Sequence, residues 1–253
     1  MVPEIGLGTW NYTGGVEPLR KGIELGAYLI DTAEGYHTED IVGQAIRGIR
    51  DRVFIATKVS GRHLRYDDVI RAAERSLRLL GTDYIDLYQI HWPNSAVPIK
   101  ETMRAMEALV DSSLVRYIGV SNFSVRDMQE AQSAMRKYPI VSNQVLYNLS
   151  NRGIEKELMP YCEKDRVTVI AYTPLDNGRL ATESRGRGMK ILRKIAAEVH
   201  KTPAQVALNW CISRPNVIAI PKSNSIARTV ENCGASGWRL SQAQIRLLDE
   251  AFS

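Results

Sequence analysis

Short apolar runs alternate with longer amphipathic stretches from one end of this chain to the other, and that alternation leaves few folds open. Strands are expected at residues 4–7, 29–31, 53–58, 84–91, 117–120, 142–145, 168–172 and 217–220. Helices are expected over 17–26, 38–49, 66–80, 100–112, 124–136, 154–165, 189–200, 203–212 and 226–235. The stretch 66–80 shows the period best: Val69, Ala72, Ala73, Ser76, Leu77 and Leu80 share one helical face, and Gly81 stops it. Ser124 reads as an N-cap, Pro203 as a first-turn residue, and Ser241 with Gln244 as a capping box that opens a last helix. Eight strand–helix units at roughly thirty residues each are the pattern of a parallel α/β fold. A length of 253 residues favours a closed barrel over an open doubly wound sheet. The expected architecture is a single (β/α)8 TIM barrel over residues 1–253 with an additional C-terminal helix and no domain boundary.

Composition removes several functional classes. Hydrophobic residues make up 44%, ordinary for a globular protein, and the net charge of +5 comes from scattered Lys and Arg. This reads as a solvated surface, with no nucleic acid or membrane as partner. No apolar run approaches about 18 residues, so no membrane span is expected. Cys162, Cys211 and Cys233 are odd in number and form no CxxC pair, which points to a reducing cytoplasm and against a structural metal. No secretory leader is visible at the start. His37, His63 and His200 lack metal-ligand spacing and read as surface residues. Gly6-Leu-Gly8 does not continue as a dinucleotide fingerprint, and Gly119-Val-Ser121 lacks the second glycine of a nucleophile elbow. Asp83 and Asp86 sit where a strand starts, the end of a barrel that serves stability.

The chemistry concentrates at the other strand ends. In Tyr28-Leu-Ile-Asp-Thr-Ala-Glu-Gly-Tyr36, Asp31 closes a buried apolar run and must be paired, because a lone buried carboxylate is costly. Tyr36 follows in the loop. The strand at 53–58 finishes on Lys58, and the strand at 84–91 on His91. Taken singly, Asp31 could cap a turn, Lys58 could be a surface lysine and His91 a core histidine. Jointly, Asp, Tyr, Lys and His at successive strand ends suggest one proton-transfer site. Asp31 and Glu34 could instead be the paired carboxylates of a cofactor-free hydrolase.

The chain resembles the aldo-keto reductase family over nearly its whole length. The segments that carry the resemblance are Ile5-Gly-Leu-Gly-Thr-Trp10, Asp31-Thr-Ala-Glu-Gly-Tyr36, Ile55-Ala-Thr-Lys58 and Ile90-His-Trp-Pro93. They continue with Ile118-Gly-Val-Ser-Asn-Phe123, Asn143-Gln144, Ala171-Tyr-Thr-Pro-Leu175 and Ile220-Pro-Lys-Ser223, followed by Arg228 and Glu231-Asn232. The resemblance implies NADPH-dependent reduction of aldehydes or ketones, with Asp31, Tyr36, Lys58 and His91 as the catalytic tetrad. Tyr36 would donate the proton, Lys58 would lower its pKa, Asp31 would keep Lys58 charged, and His91 would polarise the carbonyl.

By the same resemblance the cofactor would touch Trp10, Asp31, Ser121, Asn122, Gln144, Tyr172, Pro174, Leu175, Pro221, Lys222, Ser223, Arg228, Glu231 and Asn232. Ser121, Asn122 and Gln144 would hold the carboxamide, and Tyr172 would stack under the nicotinamide. Lys222 and Arg228, around a helix N-terminus, would take a 2′-phosphate and favour NADPH over NADH. Trp10, Tyr36, His91 and Trp92 would meet a small-molecule carbonyl substrate.

Residues 176–188 are the loopiest stretch and a mobile candidate. His37 stands where the family usually has glycine, and Thr173 where serine is commoner. A short loop after His91, little of an N-terminal hairpin and no long tail after the last helix together imply an open pocket. The rival reading is an NADPH-binding auxiliary subunit of an ion channel with slow turnover. Neither the natural substrate nor the oligomeric state is legible.

Overall fold

Eight strands form one parallel sheet in sequential order. They are β1 (Leu7–Gly8), β2 (Leu29–Asp31), β3 (Phe54–Val59), β4 (Ile85–Ile90), β5 (Val115–Ser121), β6 (Ile140–Leu146), β7 (Thr168–Tyr172) and β8 (Val217–Ala219). The computed structural model describes residues 2–182 and 185–253. The sheet closes on itself. Ile5 bridges Ala219 and Gly8 bridges Lys222, both in parallel, and Gly6 N–H donates to Ala219 O. The expected (β/α)8 barrel is the fold.

The helices are α1 (Val16–Glu24), α2 (Glu39–Ile46), α3 (Tyr66–Leu80), α4 (Ile99–Asp111) and α5 (Val125–Ala134). They continue as α6 (Leu158–Lys164), α7 (Arg187–Glu198), α8 (Pro203–Ile212), α9 (Ile226–Cys233) and α10 (Gln242–Ala251). The α3 face predicted by its period is the face that is buried, and Gly81 caps the helix at φ 63°, where a side chain would be strained. Capping boxes start α5, α8 and α10 at Ser124, Thr202 and Ser241. Most boundaries shift by one to four residues from expectation, among them the start of α6 at Leu158, where a 3₁₀ turn over Gly153–Glu155 comes first, and two others have a visible cause. The first strand forms at Leu7–Gly8, with Ile5 contributing only a bridge, because β8 across the seam is itself short. The helix expected over 38–49 stops at Ile46, where Arg47 leaves helical geometry at ψ 123°.

Side chains alternate across a strand, so each strand feeds two cores. Ile30, Ile55, Tyr88, Ile118 and Val145 point outward into the large shell under the helices. Leu29, Ala56, Leu87, Ile170 and Ile220 fill the barrel interior. Two residues further along β2, β3 and β4 on that same inner face stand Asp31, Lys58 and Gln89. The inner layer therefore changes from aliphatic to polar at the C-terminal end. At the opposite end Asp86 accepts from Arg50, Arg116 and the Ile55 N–H, and both guanidiniums lie 3.9 Å from the Tyr84 ring centroid. That end is built for stability, as read from its sequence position.

Candidate active site

Asp31 ends β2, Ser121 ends β5 and Tyr172 ends β7, while His91 directly follows β4. Tyr36 comes from a 3₁₀ turn over Glu34–Tyr36, closed by Tyr36 N–H donating to Ala33 O at 3.0 Å. These groups meet around a cavity of about 780 Å³. It is lined by Trp10, Asp31, Tyr36, His91, Trp92, Ser121, Asn122, Gln144, Tyr172, Pro174, Leu175, Pro221 and Lys222 among others.

Lys58 is the fully buried centre of the constellation. Its Nζ donates to Asp31 Oδ1 at 2.7 Å and to Thr32 O at 2.7 Å, and lies 3.4 Å from the Tyr36 hydroxyl. The ammonium thus has a partner in each of its three donor directions. The Tyr36 and His91 rings meet edge to face at 5.4 Å between centroids. Three threonine hydroxyls support the Asp31 turn from behind. Thr38 bridges Thr9 and Thr32 at 2.9 Å each, and Thr9 donates to Asp31 O.

Burial governs the electrostatics. It pulls the Lys58 ammonium below its ordinary value, and the Asp31 carboxylate pushes it back up. Burial and then Lys58 hold His91 down to about 4, so its imidazole is neutral near pH 7. Burial raises the Tyr36 phenol, with the Asp31 charge acting in the same direction. The expected lowering of Tyr36 by Lys58 is therefore not the outcome here. The Lys58 charge is largely balanced by Asp31 at 2.7 Å, so desolvation of the buried phenol outweighs it. Tyr36 is held as a protonated phenol.

The polar groups at the other strand ends are tied to one another. Gln144 Nε2 donates to Asp31 Oδ1 at 2.7 Å, and its Oε1 has no partner among the described residues. Ser121 Oγ donates to Gln144 O, and Asn122 Nδ2 donates to Ser121 Oγ and His91 O. Tyr172 OH donates to Asn122 Oδ1 at 2.6 Å, leaving its half-buried ring at the cavity wall. Asn122 takes φ 63°, which this web holds in place.

Lys222 reaches the cavity rim with no carboxylate partner among the described residues. Ser223, Arg228, Glu231 and Asn232 do not line the cavity. They belong to the adjoining turn and α9, where Ser225 accepts from Arg228 N–H as the N-cap. Arg228 is exposed and pairs with Glu231 at 2.9 Å. Trp10 and Trp92 are 50% and 52% exposed, so the expected aromatic walls stand open at the rim. The sequence reading missed Asn11, Leu146 and Asn177 in the cavity lining. It also took His63 for a plain surface residue, whereas His63 Nδ1 lies 2.8 Å from Glu34 Oε1. Glu34 is engaged there and Asp31 with Lys58, so the two do not form the open carboxylate pair a hydrolase would use. Of the loop at 176–188, residues 183 and 184 lie outside the described residues. No metal-ligating cluster occurs among the described residues, and no described helix is long and apolar enough to cross a membrane.

The family model "Aldo/keto reductase family" matches residues 4–252. A methylglyoxal reductase of Escherichia coli is 41% identical over 263 aligned residues, covering 99% of this chain and 91% of that one. A glyoxal reductase of Bacillus subtilis is 35% identical over 254 residues, covering 98% and 88%. An aldo/keto reductase from Klebsiella pneumoniae, solved in complex with NADP and acetate, superposes with a TM-score of 0.89 at 42% identity, covering 99% of this chain and 92% of that chain.

Proposed function

This chain belongs to the aldo-keto reductase family, and we propose that it reduces small activated aldehydes, 2-oxoaldehydes foremost, to alcohols with NADPH. The observation that carries the reading is the Lys58 ammonium buried between Asp31 and the Tyr36 phenol, beside a neutral His91. The relatives named as methylglyoxal and glyoxal reductases supply the substrate class.

The residues present fit the cofactor. Among the described residues Gln144 Oε1 has no partner at the cavity wall and Lys222 has no carboxylate partner at the rim, and the Tyr172 ring offers a flat face. Gln144, Ser121 and Asn122 would hold the carboxamide, Tyr172 the ring, and Lys222 with Arg228 the 2′-phosphate. When bound, NADPH supplies the hydride.

The chain's own groups do the rest. The carbonyl oxygen gains negative charge as the reaction proceeds, and donors aimed at it stabilise that charge. His91 is neutral near pH 7 and can donate one ring N–H to that oxygen. Tyr36 delivers its hydroxyl proton, and an alkoxide is a stronger base than a phenolate, so the transfer runs downhill even from a raised phenol. Lys58, 3.4 Å away, stabilises the phenolate left behind. Asp31 keeps Lys58 protonated and in place.

The test is a steady-state screen of glyoxal, methylglyoxal, aromatic aldehydes, sugars and ketones with NADPH and with NADH, read as cofactor oxidation. Turnover of the small aldehydes with NADPH is the expected result. Tight NADPH binding without steady turnover of any carbonyl would favour a binding subunit instead.

A further inference from the structure

In the turn Glu34-Gly35-Tyr36 the Glu34 carboxylate bonds to residues of two other elements. Its Oε2 accepts from the Ser60 N–H at 2.9 Å. Its Oε1 meets His63 Nδ1 at 2.8 Å and the Arg75 guanidinium of α3. Ser60 stands two residues beyond Lys58, on the loop that leaves β3. One carboxylate therefore ties the turn that carries the phenol to the strand that carries the ammonium.

The turn is held at its two ends by Thr32 and Thr38, which bond each other, and is lightly held between them. It has no side-chain N-cap, and a single backbone hydrogen bond closes it. Gly35 at its centre is exposed, and a Cβ built there would meet nothing within 4 Å. His37 leaves the turn in the left-handed region at φ 55° and is exposed. Burial and the threonine web thus fix the ends of the turn at Ala33 and Thr38, and between those ends Glu34 ties it to β3 and α3. The Tyr36 hydroxyl must stay within reach of Lys58 Nζ, and its ring against His91.

We propose that Glu34 is a positioning residue for the reaction: by anchoring the 34–36 turn to Ser60, His63 and Arg75, it sets the Tyr36 hydroxyl against Lys58. The proposal rests on the reading of Tyr36 as proton donor. A catalytic group displaced by about 1 Å loses on the order of 10²-fold in rate. Glu34→Ala removes all three anchors and is expected to lower kcat by roughly that order, with NADPH affinity nearly unchanged, because Glu34 does not line the cavity. Glu34→Gln keeps an oxygen for the Ser60 N–H but turns an amide donor toward the Arg75 guanidinium, so it should recover only part of the loss.

The decisive experiment is a double-mutant cycle. A residue that acts through Tyr36 has nothing left to position once the hydroxyl is gone. On a Tyr36→Phe background, Glu34→Ala should therefore leave the residual rate unchanged. Native-state content is checked by circular dichroism and urea midpoints, so rates refer to folded enzyme. Equal losses from Glu34→Ala on the wild-type and Tyr36→Phe backgrounds would overturn the proposal and leave Glu34 a structural residue. So would a folded Glu34→Ala enzyme with wild-type kcat while Tyr36→Phe is impaired. Near-wild-type turnover by Tyr36→Phe itself would instead remove the proton-donor reading, and with it the proposal.

Discussion

The Lys58 ammonium lies 2.7 Å from Asp31 Oδ1, and both side chains are almost wholly buried. A buried pair of this kind is a weak source of net stability, but removing one partner strands the other at a cost of about 3–5 kcal/mol. Asp31→Asn is therefore expected to destabilise the fold by an amount in that range, measured from urea unfolding near pH 7, and to lower turnover as well. Glu39 is the other carboxylate that raises Lys58, and it does not replace the contact. A loss below about 1 kcal/mol would mean that Lys58 does not depend on Asp31 for its charge.

Tyr36→Phe removes the proposed proton donor and little volume. General acid catalysis contributes typically 10² to 10⁴ in rate, so kcat should fall by at least about that range. NADPH affinity, followed by fluorescence titration, should change little. Turnover close to wild type would exclude Tyr36 as the acid.

His91 gives a pH signature. Burial holds its folded pKa at about 4, below the ordinary 6.5. Between those values the unfolded chain binds the proton and the folded chain does not, so the unfolded state is favoured as pH falls. The stability contributed by neutral His91 is complete above about 6.5 and is lost progressively toward 4. Urea midpoints across that window should drop more steeply for the wild type than for His91→Gln. Parallel profiles would show that His91 titrates normally.

Arg228→Ala tests cofactor choice. A charge-assisted hydrogen bond contributes roughly 1.5–3 kcal/mol, equivalent to about 10- to 150-fold in affinity. Arg228 already shares its charge with Glu231, so the loss of NADPH affinity should fall at the lower end. NADH binding should be almost unaffected, and Lys222→Ala should behave alike. Equal losses for both cofactors would place these residues on a phosphate common to the two.

The constellation was legible because strand periodicity does the assembling. Asp31 and Lys58 each lie two residues beyond an inward aliphatic side chain, Leu29 and Ala56, so strand ends alone bring them together. What stayed hidden depends on register between distant segments. Gln144 reaches Asp31 across a separation of 113 residues, and Glu34 finds Ser60, His63 and Arg75 at separations of 26, 29 and 41. No local pattern encodes such contacts. Nor could the sign of the Tyr36 shift be read from residue types, since it turns on how deeply the phenol is buried and how fully Asp31 balances Lys58.

Substrate breadth follows from the cavity rim. Trp10 and Trp92 are half exposed and Leu146 is 40% exposed, so the outer cavity presents apolar surface without enclosing it. The Trp92 ring stacks near-parallel to the His91 ring at 6.2 Å between centroids, which makes an aromatic wall at the cavity rim. A small dicarbonyl needs only the inner groups, whereas a bulky substrate would leave most of its surface in water. Discrimination drawn from a few apolar contacts is limited, about 10- to 200-fold per methylene-sized difference. The expected result is a broad profile of kcat/KM, highest for small activated and aromatic aldehydes and lower for sugars and steroids. Trp92→Ala should lower kcat/KM for aromatic aldehydes more than for methylglyoxal, because only the former can use the wall. A preference above about 10⁴-fold for one large substrate would exceed what such a rim can deliver. It would show that further walls form over the cavity when substrate binds.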